Sequence, residues 1–360
     1  MKMRRIILGI ALIGFLIPTN AQTNTEKAVD LKNQAIELMD NGNIEESLKL
    51  LQQAQELDPN NILIPYEIAF AYQLAKDYDK SIEVTKPLLK HKHVFDQVYQ
   101  LIGNSYDLIG DKDKAIQYYD KGLKKFPNSG KLYLEKGIVL ASKEMWNEAL
   151  DSWEKGIAAD PTHSSNYYYA SQVLSQTNEK IWGIYYGEIF INLEPNTERT
   201  KIISKLIYDT YKACLPIKDN SWHQAFSEKA TNISFGSIKN FKLSFETVHT
   251  LTMEKGCKDV DPKFTIDNLI TIRKQFLTNW NEDRAKYYPN VIFEYHNLLT
   301  DNNMFDQYFY WLLKDGSISE FENWKTKNQT AYENFIVWYK ENPMAFTDKN
   351  KTNRFSYNEK

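Results

Sequence analysis

Small and large side chains recur at a fixed step through the first half of the chain. Pro59, Pro127, Pro161 and Pro195 stand on one ladder with a step of 34 residues, and His93 occupies its empty rung. Each proline follows an apolar, helix-like stretch that it can terminate. Counting back from the ladder gives five units: 28–61, 62–95, 96–129, 130–163 and 164–197. Their eighth position is small throughout, as Ala35, Ala69, Gly103, Gly137 and Ser171. Their eleventh is large, as Leu38, Tyr72, Tyr106, Leu140 and Leu174. The twentieth is small again, as Ser47, Ser81, Ala115, Ala149 and Gly183. Leu51, Tyr119 and Trp153 fill the twenty-fourth, where Thr85 and Gly187 are weaker. Helices that cross closely need this alternation, because a ridge of one must enter a groove of the other. Polar breaks at Asn41-Gly42-Asn43, Lys76-Asp77-Tyr78 and Gly110-Asp111-Lys112 divide each unit into two helices.

These units resemble tetratricopeptide repeats. Gly103, Tyr106, Ala115, Gly122 and Pro127 make the third unit the nearest match, and the first position that the family fills with tryptophan is not reproduced. The resemblance implies an all-α fold: a right-handed α-solenoid of about five helix-turn-helix repeats over residues 22–197. Segment 198–216 reads as one more amphipathic helix, with Ile203, Leu206, Ile207 and Tyr211 on one face, closed by Pro216. A solenoid exposes apolar surface at its end, and this helix is suited to cap it.

Beyond Ile217 the step of 34 fails. Residues 217–345 predict a C-terminal helical domain, with amphipathic stretches near Leu269–Trp280, Asn290–Leu299, Met304–Leu313 and Glu320–Tyr339. Leu243 to Val248 alternates as a strand would, but Phe241, Phe245, Val248 and Leu251 share a helical face, which favours a helix. Residues 346–360 are polar and predict a frayed tail. The aromatic run Phe305 to Trp311 is similar to the C-terminal extensions of exported repeat proteins in Bacteroidota.

The N-terminus sets an expectation of export. Lys2, Arg4 and Arg5 precede an apolar run, Ile6 to Ile17, and Thr19-Asn20-Ala21 offers a small residue for cleavage after Ala21. The run is too short for a bilayer, which needs about 20 residues. Residues 1–21 therefore read as a signal peptide, and the mature chain is expected in the periplasm or outside the cell, with no transmembrane segment. Cleavage removes three basic residues and no acid, moving the formal net charge from −3 to −6. No polycationic surface for nucleic acid remains.

Composition narrows the chemistry. The chain has 42% hydrophobic and 25% charged residues, as a folded protein does, and 23 of its 360 residues are tyrosines. Cys214 and Cys257 could pair in an oxidising compartment, closing a separation of 43 residues and stabilising the fold by roughly 4 kcal/mol. Free buried thiols are the competing reading. No phosphate loop, zinc-protease pair or nucleophile elbow is present. His91 and His93 would point apart on a helix and could share a metal only on a turn, so they read as an accidental pair, and Glu294, His296 and Asp301 can be drawn as an acid-base set but read as a chance grouping. No catalytic residue, metal or cofactor is expected.

The resemblance places binding on the concave face, through four positions of each first helix. Carried over, these give Lys32, then Leu63, Tyr66 and Phe70, then Gln100, Asn104 and Asp107. Lys131 and Leu134 follow in the fourth unit, and Tyr168 and Gln172 in the fifth. Rings beside amides suit a peptide or helix of a partner protein. The expected function is a protein-interaction scaffold of the bacterial envelope. The alternative makes the repeats a handle for a C-terminal ligand-binding or catalytic domain.

Overall fold

A computed structural model describes residues 23–228, 243–350 and 352–357. The expected signal peptide, and Phe241, lie outside the described residues. The described elements are almost entirely helical, and they fall into a unit ending at Val94 and another beginning at Phe95.

The first unit holds two helix pairs: α1 (Asn24–Asp40) with α2 (Ile44–Leu57), and α3 (Leu63–Leu74) with α4 (Tyr78–Leu88). Thr23 starts α1 with a capping box, its hydroxyl accepting from the Glu26 amide while the Glu26 carboxylate accepts from the Thr23 amide. Ala35, Met39, Leu51, Ala54, Ile64 and Ile68 form its core. Here the small eighth position is fully buried, as Ala35 and Ala69.

Three further pairs open the second unit: α5 (Asp96–Leu108) with α6 (Lys112–Lys125), α7 (Gly130–Ser142) with α8 (Trp146–Ala159), and α9 (Ser164–Ser175) with α10 (Lys180–Leu193). All five units of the sequence thus appear as helix pairs, with Pro59, Pro127, Pro161 and Pro195 just beyond α2, α6, α8 and α10. The turns repeat at the same step. Gly42, Lys76, Gly110 and Glu144 each take positive φ, at 81°, 62°, 86° and 63°. Glycine is free there, whereas lysine and glutamate are held in a region costing about 1 kcal/mol.

The alternation of small and large has a direct structural cause. A Cβ on Gly103 would lie 2.2 Å from the Tyr119 ring, and one on Gly137 would lie 2.2 Å from Trp153 Nε1. The eighth position therefore makes room for the ring at the twenty-fourth of the same unit. Ala115, Ala149 and Tyr106 are buried alongside. Gly137→Ala is expected to lower stability by about 1–3 kcal/mol through overpacking, even though alanine favours helix. The denaturation midpoint reads this, and an unchanged or raised midpoint would contradict it.

Unit five departs from the pattern because it meets another element. A Cβ on Gly187 would collide with Ile203 and approach Ile207 of α11 (Glu198–Cys214). The glycine that weakened this repeat in sequence is what lets the expected capping helix pack. From Ile181 to Ile191, α10 is buried on every face, since α9 and α11 flank it and the later helices cover the rest.

A short hairpin follows, β1 (Ile217–Lys218) against β2 (Ser221–Trp222). Then come α12 (Phe245–Gly256), α13 (Ile266–Asp283), α14 (Val291–Asp301), α15 (Phe305–Leu312), α16 (Ile318–Lys327) and α17 (Gln329–Glu341). Segment 245–248 is helix, as the longer spacing predicted, with Ser244 as its cap. Phe245 and Val248 are buried, but Leu251 is turned outward at 44% exposure, so that expected face member was wrong. The run Phe305–Trp311 is core, packed against α13, α14 and α17.

One expectation is corrected, and one open alternative is decided. Residues 352–357 are not frayed: Tyr357 stacks on Phe245 at 4.8 Å and 9°, and lies 6.0 Å from Trp182. Arg354 donates to the buried Glu154 carboxylate through Nε (2.9 Å) and a terminal nitrogen (2.6 Å), and its amide donates to Tyr186 Oη. A few anchoring side chains hold an otherwise polar segment. The two cysteines are free and buried, and burial pushes each thiol up to about 12, so neither is a ready nucleophile. No described helix is long and apolar enough to cross a membrane.

Candidate partner-binding cleft

The expected concave-face residues keep partial exposure in both units, while the small residues that define the repeat are buried. In the first unit, Leu63 is 45% exposed and Lys32, Tyr66 and Phe70 are half-buried. Burial pushes the neighbouring Glu67 carboxyl up, and the Lys32 charge opposes this.

In the second unit, Gln100, Asn104, Asp107, Leu134, Tyr168 and Gln172 are half-buried and Lys131 is exposed. Tyr168 and Gln172 line a cleft of about 700 Å³ framed by α7, α8 and α9. Ile138 and Ala141 form one wall and Val173 and Gln176 the other. The floor is Trp153, fixed by its Nε1 donating to the Leu134 carbonyl and by stacking on Tyr169 at 5.1 Å. Tyr168 stands edge-on to Tyr169. Arg199 from α11 lies 4.8 Å above the Tyr168 ring and is itself paired with Glu194. Trp146 closes the rim with 52% of its surface exposed.

Trp146, Tyr169 and Val173 were not among the sequence candidates. Trp146 begins the second helix of its unit, where the other units have Ile44, Tyr78, Lys112 and Lys180. A tryptophan at that turn position was the available signal. Gln100, Asn104 and Asp107 lie outside the cleft lining, toward α5, as part of a polar cluster. There Gln100 Nε2 donates to Glu135 Oε1 at 2.9 Å and Tyr119 Oη donates to Asn104 Oδ1 at 2.6 Å. Burial pushes the Glu135 carboxyl up; amide hydrogen bonds from Gln100 and Asn104 oppose this, and the Asp107 charge adds to it. Of the C-terminal helices, α14 packs on α10, while Ser204 and Tyr208 of α11 donate to the Leu312 carbonyl and to Glu320; none of these helices lines the cleft.

A second polar cluster is sealed in the C-terminal helices. Glu188 of α10 accepts from His296 Nε2 (2.6 Å) and Tyr308 Oη (2.8 Å). His296 Nδ1 faces an Arg273 terminal nitrogen at 3.5 Å, so the imidazole bridges carboxylate and guanidinium in its Nε2–H tautomer. Burial holds the His296 ring below its ordinary range despite Glu188. Burial alone would raise Glu188, but His296, Arg273 and Tyr308 together hold it low. The set suggested by sequence, Glu294 with His296 and Asp301, does not form: Glu294 accepts from Asn350 instead. Among the described residues no group of three metal-ligating side chains is assembled.

Family comparison agrees with the helix pairs. The tetratricopeptide-repeat family model matches residues 38–104, and a second model of the same repeat matches residues 96–129. No curated protein matches the chain. Several solved structures are similar over about half of the chain. PilF from Pseudomonas aeruginosa is 16% identical, with a TM-score of 0.45 over 53% of this chain and 85% of its own. PilW, described as a widely conserved type IV pilus biogenesis factor, is 19% identical, with a TM-score of 0.42 over 52% and 85%. TTC0263, a protein with this repeat from Thermus thermophilus, is 13% identical, with a TM-score of 0.42 over 50% and 98%. The two repeat models together match residues 38–129 of the chain, across the helix pairs described above.

Proposed function

We propose that the chain is a protein-interaction scaffold that holds a segment of a partner protein in the cleft between α7, α8 and α9. The observation that carries this reading is the aromatic lining: Trp146, Trp153, Tyr168 and Tyr169 face one open cleft of about 700 Å³. Rings elsewhere in the second unit, such as Trp182, Trp280 and Tyr308, are spent on the core. Rigid rings with a polar edge supply contact area at low entropic cost, and they dominate binding energy where they anchor a partner. The amides of Gln172 and Gln176 at the rim can pair with a partner's peptide groups.

Export is part of the proposal. The basic start and short apolar run at residues 1–21 suit a cleaved leader, and the scaffold then works in the envelope or outside the cell. N-terminal sequencing of protein recovered from cells tests this, with Gln22 expected as the first residue.

The cleft is tested by cross-linking capture, comparing wild type with a folded Trp146→Ala, Tyr168→Ala variant. Loss of two anchors is expected to weaken binding by about 2 kcal/mol or more, roughly thirtyfold, so the captured partner disappears. Equal capture by both proteins would remove the cleft as the working surface.

A further inference from the structure

A second cavity, of about 670 Å³, opens between the β1–β2 hairpin and α12, and it shares no residue with the aromatic cleft. Leu251, Glu254 and Lys255 follow one face of α12 along it, and Lys258 continues that stripe just past the helix end. The hairpin supplies Asn220, Ser221 and Trp222. Its turn residues Asp219 and Asn220 both take left-handed φ, at 49° and 55°, as a tight two-residue connection requires. Two bonds pin the hairpin in place. Trp222 Nε1 donates to the Val260 carbonyl at 3.0 Å, and the Ala225 amide donates to the Cys214 carbonyl at 2.9 Å.

The lining is divided by chemistry. Trp222, Leu251, Val260 and Pro262 offer apolar surface, with the Trp222 ring half-buried and Leu251 44% exposed. Lys255, Lys258 and Arg284 line the same cavity, against Glu254 as the one acid among the described lining residues. None of the three cations has an ion-pair partner among the described residues. The carbonyls at the end of α12 do not occupy the lysines. With its amide in the orientation that satisfies both of its atoms, Gln275 donates to the Gly256 carbonyl at 2.7 Å and to the Lys258 carbonyl at 3.1 Å. Arg284, just past the end of α13, is half-buried, and its guanidinium donates to no described residue. A carboxylate matches such a planar fork with two parallel hydrogen bonds.

We propose that this cavity binds a small amphipathic carboxylate. Its apolar body lies against Trp222 and Leu251 and its head group on Arg284, with Lys255 and Lys258 adding charge. Small-molecule sites of about 300–1,000 Å³ have this make-up, a mostly apolar wall with a few charged groups that fix orientation. The site stands apart from the partner-binding reading, because the two cavities have no lining residue in common.

The test uses the full chain labelled with fluorotryptophan, in which the Trp222 fluorine signal is assigned by its loss in Trp222→Phe. Three probes share one apolar body: phenylbutyrate, phenylbutanol and phenylbutylamine. Phenylbutyrate is expected to shift the Trp222 signal saturably and to bind about tenfold tighter than the alcohol, with the amine weakest. Lys258→Gln, Arg284→Gln should bring phenylbutyrate to the level of the alcohol and leave the alcohol unchanged. Raised salt should narrow the gap in wild type. The remaining tryptophan signals report that each variant is folded. Equal affinity for the three head groups, or a Trp222 signal that no probe moves, overturns the assignment. An acetylated peptide ending in phenylalanine is the fourth probe. Its binding without that of phenylbutyrate would assign the cavity to a chain terminus and overturn the small-molecule ligand.

Discussion

Between pH 7 and pH 5 the unit beginning at Phe95 is expected to lose about 2–4 kcal/mol of stability. The reason is two imidazoles sealed in the neutral form. Burial, with the Arg273 charge adding to it, holds His249 well below its ordinary value. Burial outweighs the attraction of Glu188 and lowers His296 as well. Around them stand Glu188 and Tyr185 of α10, Tyr211 of α11, Arg273 of α13 and Tyr308 of α15, with Phe226, Phe245 and Phe276 against the His249 ring.

In the unfolded chain both rings take up protons as pH falls through about 6.5. The folded state does not, because its pKa values are depressed. Stability is therefore fully present above that value and declines below it, by up to about 1.4 kcal/mol per pH unit for each ring. Glu188, also depressed, acts in the same direction below the ordinary carboxyl range. Urea midpoints at pH 7, 6 and 5 measure the effect. His296→Gln retains a donor toward Glu188 and removes one titration, so about half of the slope should vanish. A flat profile across this window would show that the rings are protonated in the folded state or reached by water.

Arg354→Ala is expected to cost about 3–5 kcal/mol, because it leaves a fully buried carboxylate without its counter-charge. Glu154 on α8 has no exposed side-chain surface, and its partners are Arg354 and the Tyr186 hydroxyl. Removing the guanidinium strands the charge, and Tyr186 can return only one hydrogen bond. Adding Glu154→Gln to the same variant should recover much of the loss, since a neutral amide is cheaper to bury than a carboxylate. The pair of midpoints separates ion pairing from simple loss of packing. A change below about 1 kcal/mol would mean the tail frays, as its composition suggests.

The step of 34 was legible because each repeat solves the same local packing problem. A glycine at the eighth position faces a ring at the twenty-fourth of its own unit, as with Gly103 and Tyr119, or Gly137 and Trp153. Contacts of that kind are short in sequence, so periodicity records them, and the helix boundaries followed. The tail is the opposite case. Arg354 meets Glu154 from 200 residues away, and Tyr357 meets Phe245 and Trp182 across loops whose length fixes nothing about direction. Polarity alone made that segment look free, whereas the ion pair to Glu154 and the stacking of Tyr357 hold it.

The same division runs through the candidate site. The first-helix positions implied by the repeat found Tyr168 and Gln172, because the helical period alone orients them. They did not find Trp146, which reaches the rim from a turn, nor that Gln100 and Asn104 would be turned to Glu135. His296 had a carboxylate two residues away in sequence and took Glu188 instead, 108 residues earlier. Local periodicity decides which face of a helix is buried, since that depends on neighbours three and four residues along. Which distant group meets a buried charge depends on how whole helices stack, and that is settled only when desolvation forces each carboxylate and imidazole to find a partner in three dimensions.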